Sequence, residues 1–280
     1  MQQIQIKNSM KEAAIAKALG NLPHENSAAP RKYNGKKPSE NIQDILYNSN
    51  APIAAKSREV YTSTSQIINE LFESEVTPEA IQETKNSINA MLGGVMNDRI
   101  TIASLIKVSN YDYYTYTHCV NVAVYSVGLG KEIGLSEREL KQVGAGAIMH
   151  DLGKAKVDLS IVNKPGKLTN DEFAQMKAHP TFGYDTLIDQ FETDEVILTC
   201  VRHHHEKING AGYPDGIAGG AISIYARITA IADIFDALST KRSYKPALST
   251  FDALNLMKTK MDKELDQKLL HKFIKMMGKQ

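Results

Sequence analysis

The chain has 280 residues, 42% of them hydrophobic, and a formal net charge of +1 with acidic and basic residues interleaved. That length suits one substantial domain plus a smaller one, and the balanced charge excludes the basic stripe with which a protein tracks a nucleic-acid polymer. Two cysteines, Cys119 and Cys200, cannot build a disulfide framework; with neither a signal-peptide pattern nor an apolar run of ~20 residues, the expectation is a cytoplasmic protein without membrane insertion.

From Met1 to about Asn50 the chain is polar, with Pro23, Pro30 and Pro38 and the basic pairs Arg31-Lys32 and Lys36-Lys37. This composition predicts a tail or loosely packed cap. Helical spacing begins at Ile53, with Val60, Ile67, Ile68, Leu71 and Phe72 on one stripe. Thr77-Pro78 then forms an N-cap followed by proline at the first helical position, for a helix carrying Ile81, Ile88, Met91, Leu92 and Val95. Gly93-Gly94 is expected to end or kink that helix. A domain boundary is placed there, dividing an N-terminal helical, regulatory region (1–94) from a second domain (95–280). His118 follows on a helical segment with Val122, Tyr125 and Leu129. By itself, a histidine among such neighbours is more often a hydrogen-bonded core residue than a ligand. Cys119 projects ~100° away from it and reads as core.

Ser136 with Glu139 makes a capping box, and Leu135 with Leu140 the matching hydrophobic staple, so a helix starts at about Glu137. His150 and Asp151 arrive near its end, which Gly153 is expected to form. Thr169 with Glu172 repeats the device and starts a helix predicted to deliver His179 just ahead of Pro180. His203-His204-His205-Glu206 leads into the loop Asn209 to Gly216, and alone the run is ambiguous between a solvated surface and a metal site. The last strongly periodic helix holds Ile224, Ile228, Ile231, Phe235 and Leu238. Its Asp233, flanked by apolar residues, must be paired or bound to a cation if buried. From Phe251 on the chain reads as an amphipathic helix with a basic surface. The predicted class is all-α. Six of the eight histidines lie between positions 118 and 205, and that clustering points to metal. His150-Asp151 with Lys154 one turn later suits a metal held beside a phosphate.

Taken together, the motifs resemble the HD-GYP subgroup of the HD phosphohydrolase superfamily, whose members typically hydrolyse the bacterial second messenger cyclic di-GMP. The matching elements are D-x-Y-T-x-x-H from Asp112 to His118, H-D-x-G-K from His150 to Lys154, Lys164 to Thr169, His179-Pro180, and His204-His205-Glu206 with Gly212-Tyr213-Pro214. They continue through Ala226-Arg227-Ile228, Ala232-Asp233, Asp236-Ala237-Leu238 and Arg242-Ser243-Tyr244-Lys245, in the family's order from roughly Ile100 to Leu265.

The resemblance implies two divalent metal ions. His118, His150, Asp151 and Asp233 would hold one, and Asp151 would bridge to a second held by His179, His204 and His205, with His203 left over. Lys154, Tyr213, Arg242 and Lys245 match positions that contact the substrate phosphate, and Asp151 and Lys154 would act in the reaction itself. Imidazole and carboxylate donors without thiolate favour iron or manganese over a structural zinc. Two metals about 3.5–4 Å apart can acidify a bridging water and hold a scissile phosphate for in-line attack by the hydroxide. The expected function is therefore metal-dependent cyclic di-GMP hydrolysis, with other signalling proteins such as diguanylate cyclases as partners. A catalytically weak receptor, and a phosphohydrolase of another cyclic dinucleotide or a nucleotide, remain open alternatives. Two departures bear on this. Tyr114 stands where some members have a glutamate ligand for a third metal, and Lys207-Ile208-Asn209 replaces a common aromatic and aspartate pattern.

Overall fold

The computed structural model describes residues 37–109, 117–240 and 247–278. Among the described residues there are helices and connecting turns and no strand, as the all-α expectation requires. In chain order the helices are α1 (Pro38–Tyr47), α2 (Ile53–Glu73), α3 (Pro78–Met96), α4 (Ile102–Ser109), α5 (Thr117–Glu132) and α6 (Glu137–Met149). A 3-10 turn (Leu152–Lys156) leads to α7 (Leu159–Val162), α8 (Asn170–Met176), α9 (His179–Asp189) and α10 (Glu195–His203). A second 3-10 turn (Gly219–Ala221) precedes α11 (Ile224–Ser239), α12 (Thr250–Lys260) and α13 (Gln267–Met277).

Helix α5 is the axis of the assembly. Val120, Val122, Ala123, Val124, Val127 and Leu129 are all buried, so apolar side chains leave it in every direction, as befits a helix enclosed by others. Helices α2, α4, α6, α11 and α13 pack around it. Capping sets the register of several of these elements. Thr77 Oγ1 accepts the amide of Ala80 at 3.2 Å, with Pro78 opening α3. At the start of α6, Glu139 accepts the Ser136 amide at 2.8 Å while Ser136 Oγ accepts the Glu139 amide at 3.3 Å, which is the reciprocal box read from the sequence. No helix among the described residues is long and apolar enough to cross a membrane.

Three expectations change. The stretch thought to be a loose cap as far as Asn50 contains α1, whose Ile42 and Leu46 are 0% and 2% exposed. Their i, i+4 spacing forms a short apolar stripe that the polar average of the first fifty residues conceals; residues 1–36 lie outside the described ones. Helix α3 runs through Gly93-Gly94 to Met96, and the chain turns back because the Gly94 carbonyl accepts the amides of Arg99 and Ile100 at 2.8 and 3.2 Å. The C-terminal stretch forms two helices, with Asp266 capping α13 by accepting the amides of Lys268 and Leu269. The side chains of α1–α3 belong to the same hydrophobic core as those of α5, α6 and α11–α13.

If α1 is part of this core, Leu46→Ala should cost about 2–5 kcal/mol of unfolding free energy in a urea titration. A loosely packed cap would lose less than about 0.5 kcal/mol.

Candidate metal centre

The seven predicted ligands come from five places. His118 lies in the first turn of α5, His150 is the C-cap of α6 and Asp151 opens the following 3-10 turn. His179 begins α9, His204 is the C-cap of α10 with His205 next in the turn, and Asp233 is on α11. Two local expectations need correction. Helix α6 stops at Met149 rather than at Gly153, and α8 stops at Met176, so His179 belongs to a new helix. Gly153 has another role. A Cβ built there would lie 1.9 Å from the His179 carbonyl oxygen and 2.4 Å from the Gly183 amide nitrogen, so the missing side chain is what lets the 3-10 turn abut α9. That approach brings Asp151 to His179.

The structure brings the seven side chains together. Donor atoms within 4.8 Å of one another occur in three overlapping sets: His118, His150 and Asp151; His150, His204 and Asp233; and His179, His204 and His205. Asp151, 4% exposed, faces both ends of the array. Its Oδ1 is 3.3 Å from His179 Nε2, while its Oδ2 is 3.4 Å from His150 Nε2 and 3.6 Å from His118 Nε2. Asp233 Oδ1 lies 3.3 Å from His118 Nε2. Lys154, with its side chain 31% exposed, sets its ammonium 2.6 Å from Asp151 Oδ2 at the edge of the cluster.

Three of the imidazoles share one orienting device. Nδ1 of His150 donates to the Ala147 carbonyl at 2.7 Å, that of His179 to the Met176 carbonyl at 2.7 Å, and that of His204 to the Val201 carbonyl at 2.9 Å. These are carbonyls in or at the end of a last helical turn, where few amides remain to pair them; that of Ala147 also takes the His150 amide at 3.5 Å. His118 Nδ1 donates instead to Asp236 Oδ2 at 2.7 Å. Since a carbonyl can only accept, Nδ1 of His150, His179 and His204 carries the proton, and a neutral ring turns its Nε2 lone pair to the centre of the cluster.

Electrostatics follow from this packing. Burial, reinforced by the neighbouring imidazoles of His205, His150 and His179, pushes His204 well below the usual histidine range. Burial likewise takes His205 down to about 3. Both therefore present neutral rings. For His118 burial opposes a charge, but the Asp233 and Asp236 carboxylates beside it raise it to about 9, a charge that a bound cation would replace. Burial would raise the carboxyl of Asp151, yet Lys154 and His150 hold it well below its ordinary value; Asp233 is held low against burial by His118 and His150.

These residues fit a bound cation. Nε2 of His118, Nε2 of His150 and Oδ1 of Asp151 are buried without a hydrogen-bond partner. Nε2 of His179 and of His204 face one another at 3.3 Å, and because both Nδ1 atoms hold the protons, two lone pairs meet there. Unpaired buried acceptors and opposed lone pairs are unfavourable alone and are satisfied together by a cation.

His203 points elsewhere. Its Nδ1 meets Thr199 Oγ1 at 3.1 Å and its Nε2 meets Asp215 Oδ2 at 2.8 Å, beside the bidentate Arg202 to Asp215 pair. These contacts fasten the far end of the 206–216 loop. The near end is held by buried Glu206, whose Oε1 accepts the amides of Asp215 and Gly216 at 2.7 and 3.0 Å. A Cβ on Gly212 would fall 2.4 Å from the Lys207 amide nitrogen, so only glycine lets the loop fold back on itself. Tyr213, joined to Pro214 by a cis peptide bond, stacks against the His205 ring at 4.7 Å between centroids. Arg242, Lys245 and Tyr114 lie outside the described residues. Asp236 appears in the sequence only as a motif member. Its place three residues after Asp233 puts both carboxylates on one face of α11, which is the signal that might have marked it as a partner of the site.

The family model described as HD domain matches residues 102–269, and the chain belongs to the HD domain family, in agreement with the resemblance read from the motifs. Members of this family depend on bound metal, and the clustered histidines and aspartates supply potential ligands. The chain is 32% identical to the cyclic di-GMP phosphodiesterase PA4108 of Pseudomonas aeruginosa over 68% of its own length and 46% of that protein. It is 42% identical to 3'3'-cGAMP-specific phosphodiesterase 2 of Vibrio cholerae over 47% of its own length and 25% of that protein. It thus spans less than half the length of these relatives. Its fold is similar to that of Bd1817, a HDG"Y"P protein from Bdellovibrio bacteriovorus, with a TM-score of 0.73 over 85% of this chain and 77% of that one at 19% identity.

Gly153→Ala should be severely destabilising, by about 3 kcal/mol or more, because the added methyl meets backbone rather than a movable side chain. A Gly153→Ala protein whose melting temperature stays within about 2 °C of the parent's would contradict so tight a contact.

Proposed function

We propose that the chain is a metal-dependent phosphodiesterase of cyclic dinucleotides that acts on cyclic di-GMP, with residues 95–280 carrying the chemistry and 1–94 a regulatory part, of which helices α1–α3 share the core. The observation that carries this reading is the division of Asp151, whose two oxygens face two different groups of buried imidazoles. One cation would be held by His118, His150, Asp151 and Asp233, and a second by His179, His204, His205 and the other oxygen of Asp151. The donor set suits iron or manganese. The names of the relatives support the substrate class.

Two divalent cations so held would acidify a water at neutral pH and polarise a phosphoryl oxygen. The chain's own contribution is positioning and charge. Lys154, at the edge of the cluster, is placed to neutralise a phosphate oxygen entering beside Asp151. Tyr213 is held against His205 by the 206–216 loop, so a phenol at the rim can meet the same phosphate. Arg242 and Lys245 are proposed as further phosphate contacts on the strength of the motif alone. Neither cysteine is a nucleophile in this scheme. Burial pushes Cys119 well above the usual thiol range and Cys200 up to about 12, so neither forms a thiolate at neutral pH.

A complete set of ligands favours an enzyme over a retired receptor, since a receptor need not keep all seven. The likeness to a 3'3'-cGAMP-specific phosphodiesterase favours a second reading in which that cyclic dinucleotide is the better substrate. Metal analysis of anaerobically purified protein, with turnover of both nucleotides measured on the same sample, tests the proposal; metal-loaded protein that cleaves neither would end it.

Asp151→Asn should abolish turnover and the binding of at least one metal, because an amide cannot supply a bridging charge. Two full equivalents of metal in an active Asp151→Asn protein would remove that role. His205→Ala should lose metal, whereas His203→Ala should keep it and lose only loop order. Equal metal loss in both would mean that the histidine pair has been assigned in the wrong register.

A further inference from the structure

The ring of His118 is held by a carboxylate where the other anchored imidazoles use backbone carbonyls, and that carboxylate is itself held from a distance. Asp236, 1% exposed, accepts His118 Nδ1 on Oδ2, and on Oδ1 it accepts both Asn121 Nδ2 at 2.7 Å and Thr240 Oγ1 at 2.9 Å. Asn121 is likewise 1% exposed. Because its amide nitrogen must face the carboxylate, its Oδ1 points the other way, toward Tyr61 on α2, whose hydroxyl donates to it through a short hydrogen bond. The same hydroxyl lies 3.3 Å from the carbonyl of Thr117, the residue before His118. Tyr61 is 0% exposed and comes from the part of the chain that precedes every proposed metal ligand.

We propose that Tyr61 is a positioning residue for His118, acting through Asn121 and Asp236, so that helix α2 sets the affinity of one of the two cation positions. Each link has only one polarity. The phenol donates to the Asn121 oxygen, the Asn121 nitrogen donates to Asp236, and Asp236 accepts the proton of His118 Nδ1. The series ends with His118 Nε2 facing Asp151 Oδ2 at 3.6 Å and Asp233 Oδ1 at 3.3 Å. Removing the phenol hydroxyl leaves a buried amide oxygen unpaired and frees Asn121 to rotate, and Asp236 then loses a donor that fixes its orientation. His150, His179 and His204 are tethered to carbonyls of their own segments and have no such link to α2. The effect is therefore confined to the position built on His118, while the one built on His179, His204 and His205 is untouched. This rests on the two-cation reading above.

The test is titration of metal-stripped protein with Co²⁺, read by calorimetry and by the visible absorption of the bound ion, for the parent and for Tyr61→Phe. The phenylalanine keeps the buried ring. We expect one of two Co²⁺ sites to weaken by roughly 10- to 100-fold, the range for loss of a partner behind a metal-binding histidine, and the other to stay within about 2-fold. An Asp236→Asn, Tyr61→Phe double variant should bind no more weakly than Asp236→Asn alone, because both changes break one series. Parent protein that takes up no Co²⁺ would refute the metal reading itself. Parent protein with two sites and a Tyr61→Phe variant with the same two affinities would refute only the role of Tyr61. Should Tyr61→Phe fail to fold, Asn121→Ala opens the series at its middle with the same expectation, and unaltered Co²⁺ affinity there overturns the proposal.

Discussion

Asp151 is buried with one oxygen 3.3 Å from His179 and the other 2.6 Å from Lys154 and 3.4 Å from His150. A carboxylate in that position has to be compensated from both sides, or it would be expelled to solvent or neutralised. Much of the surrounding architecture answers that requirement. Gly153 lets the turn after α6 touch α9, which supplies His179 on one side. Helix α5 brings His118 to the other, while α11 adds a second carboxylate, Asp233, and Lys154 at the edge toward solvent supplies opposite charge.

The imidazoles could fill that space in many orientations, and the structure limits them with backbone left over from helix ends. The last carbonyls of a helix are short of amide partners, and His150, His179 and His204 each sit where the Nδ1 proton reaches one of them. The cost of ending a helix and the cost of fixing a ring are thereby offset against each other. His118, in the first turn of its helix, has no such carbonyl behind it. It takes the Asp236 carboxylate instead, and through Asn121 and Tyr61 becomes tied to α2.

The 206–216 loop obeys a similar logic at the rim. Glu206 gathers the amides of Asp215 and Gly216 from inside, while Arg202 and His203 hold the Asp215 side chain from outside. Tyr213 is thus carried on a loop pinned from both sides and laid against His205. The first histidine of the run, His203, serves this anchoring, which explains why three consecutive imidazoles need not share one task.

Much of this was legible in the order of residues. The capping boxes at Ser136 and Thr169 are local, since their partners sit three residues away, so the starts of α6 and α8 could be read directly. The motifs from His118 to Asp233, through the family they resemble, pointed to the seven side chains that the fold brings together. Tertiary structure decided the rest. Neither the packing of α1 against the core nor the continuation of α3 through two glycines is visible in composition, because both depend on what faces those segments. Gly153 looked like a helix end and is a point of contact with α9, a distinction that exists only once two elements meet. Asp236, Asn121 and Tyr61 are far apart in the chain and unremarkable one by one. Their hydrogen bonds span separations of 60 to 118 residues, and only the folded chain brings those donors and acceptors within reach.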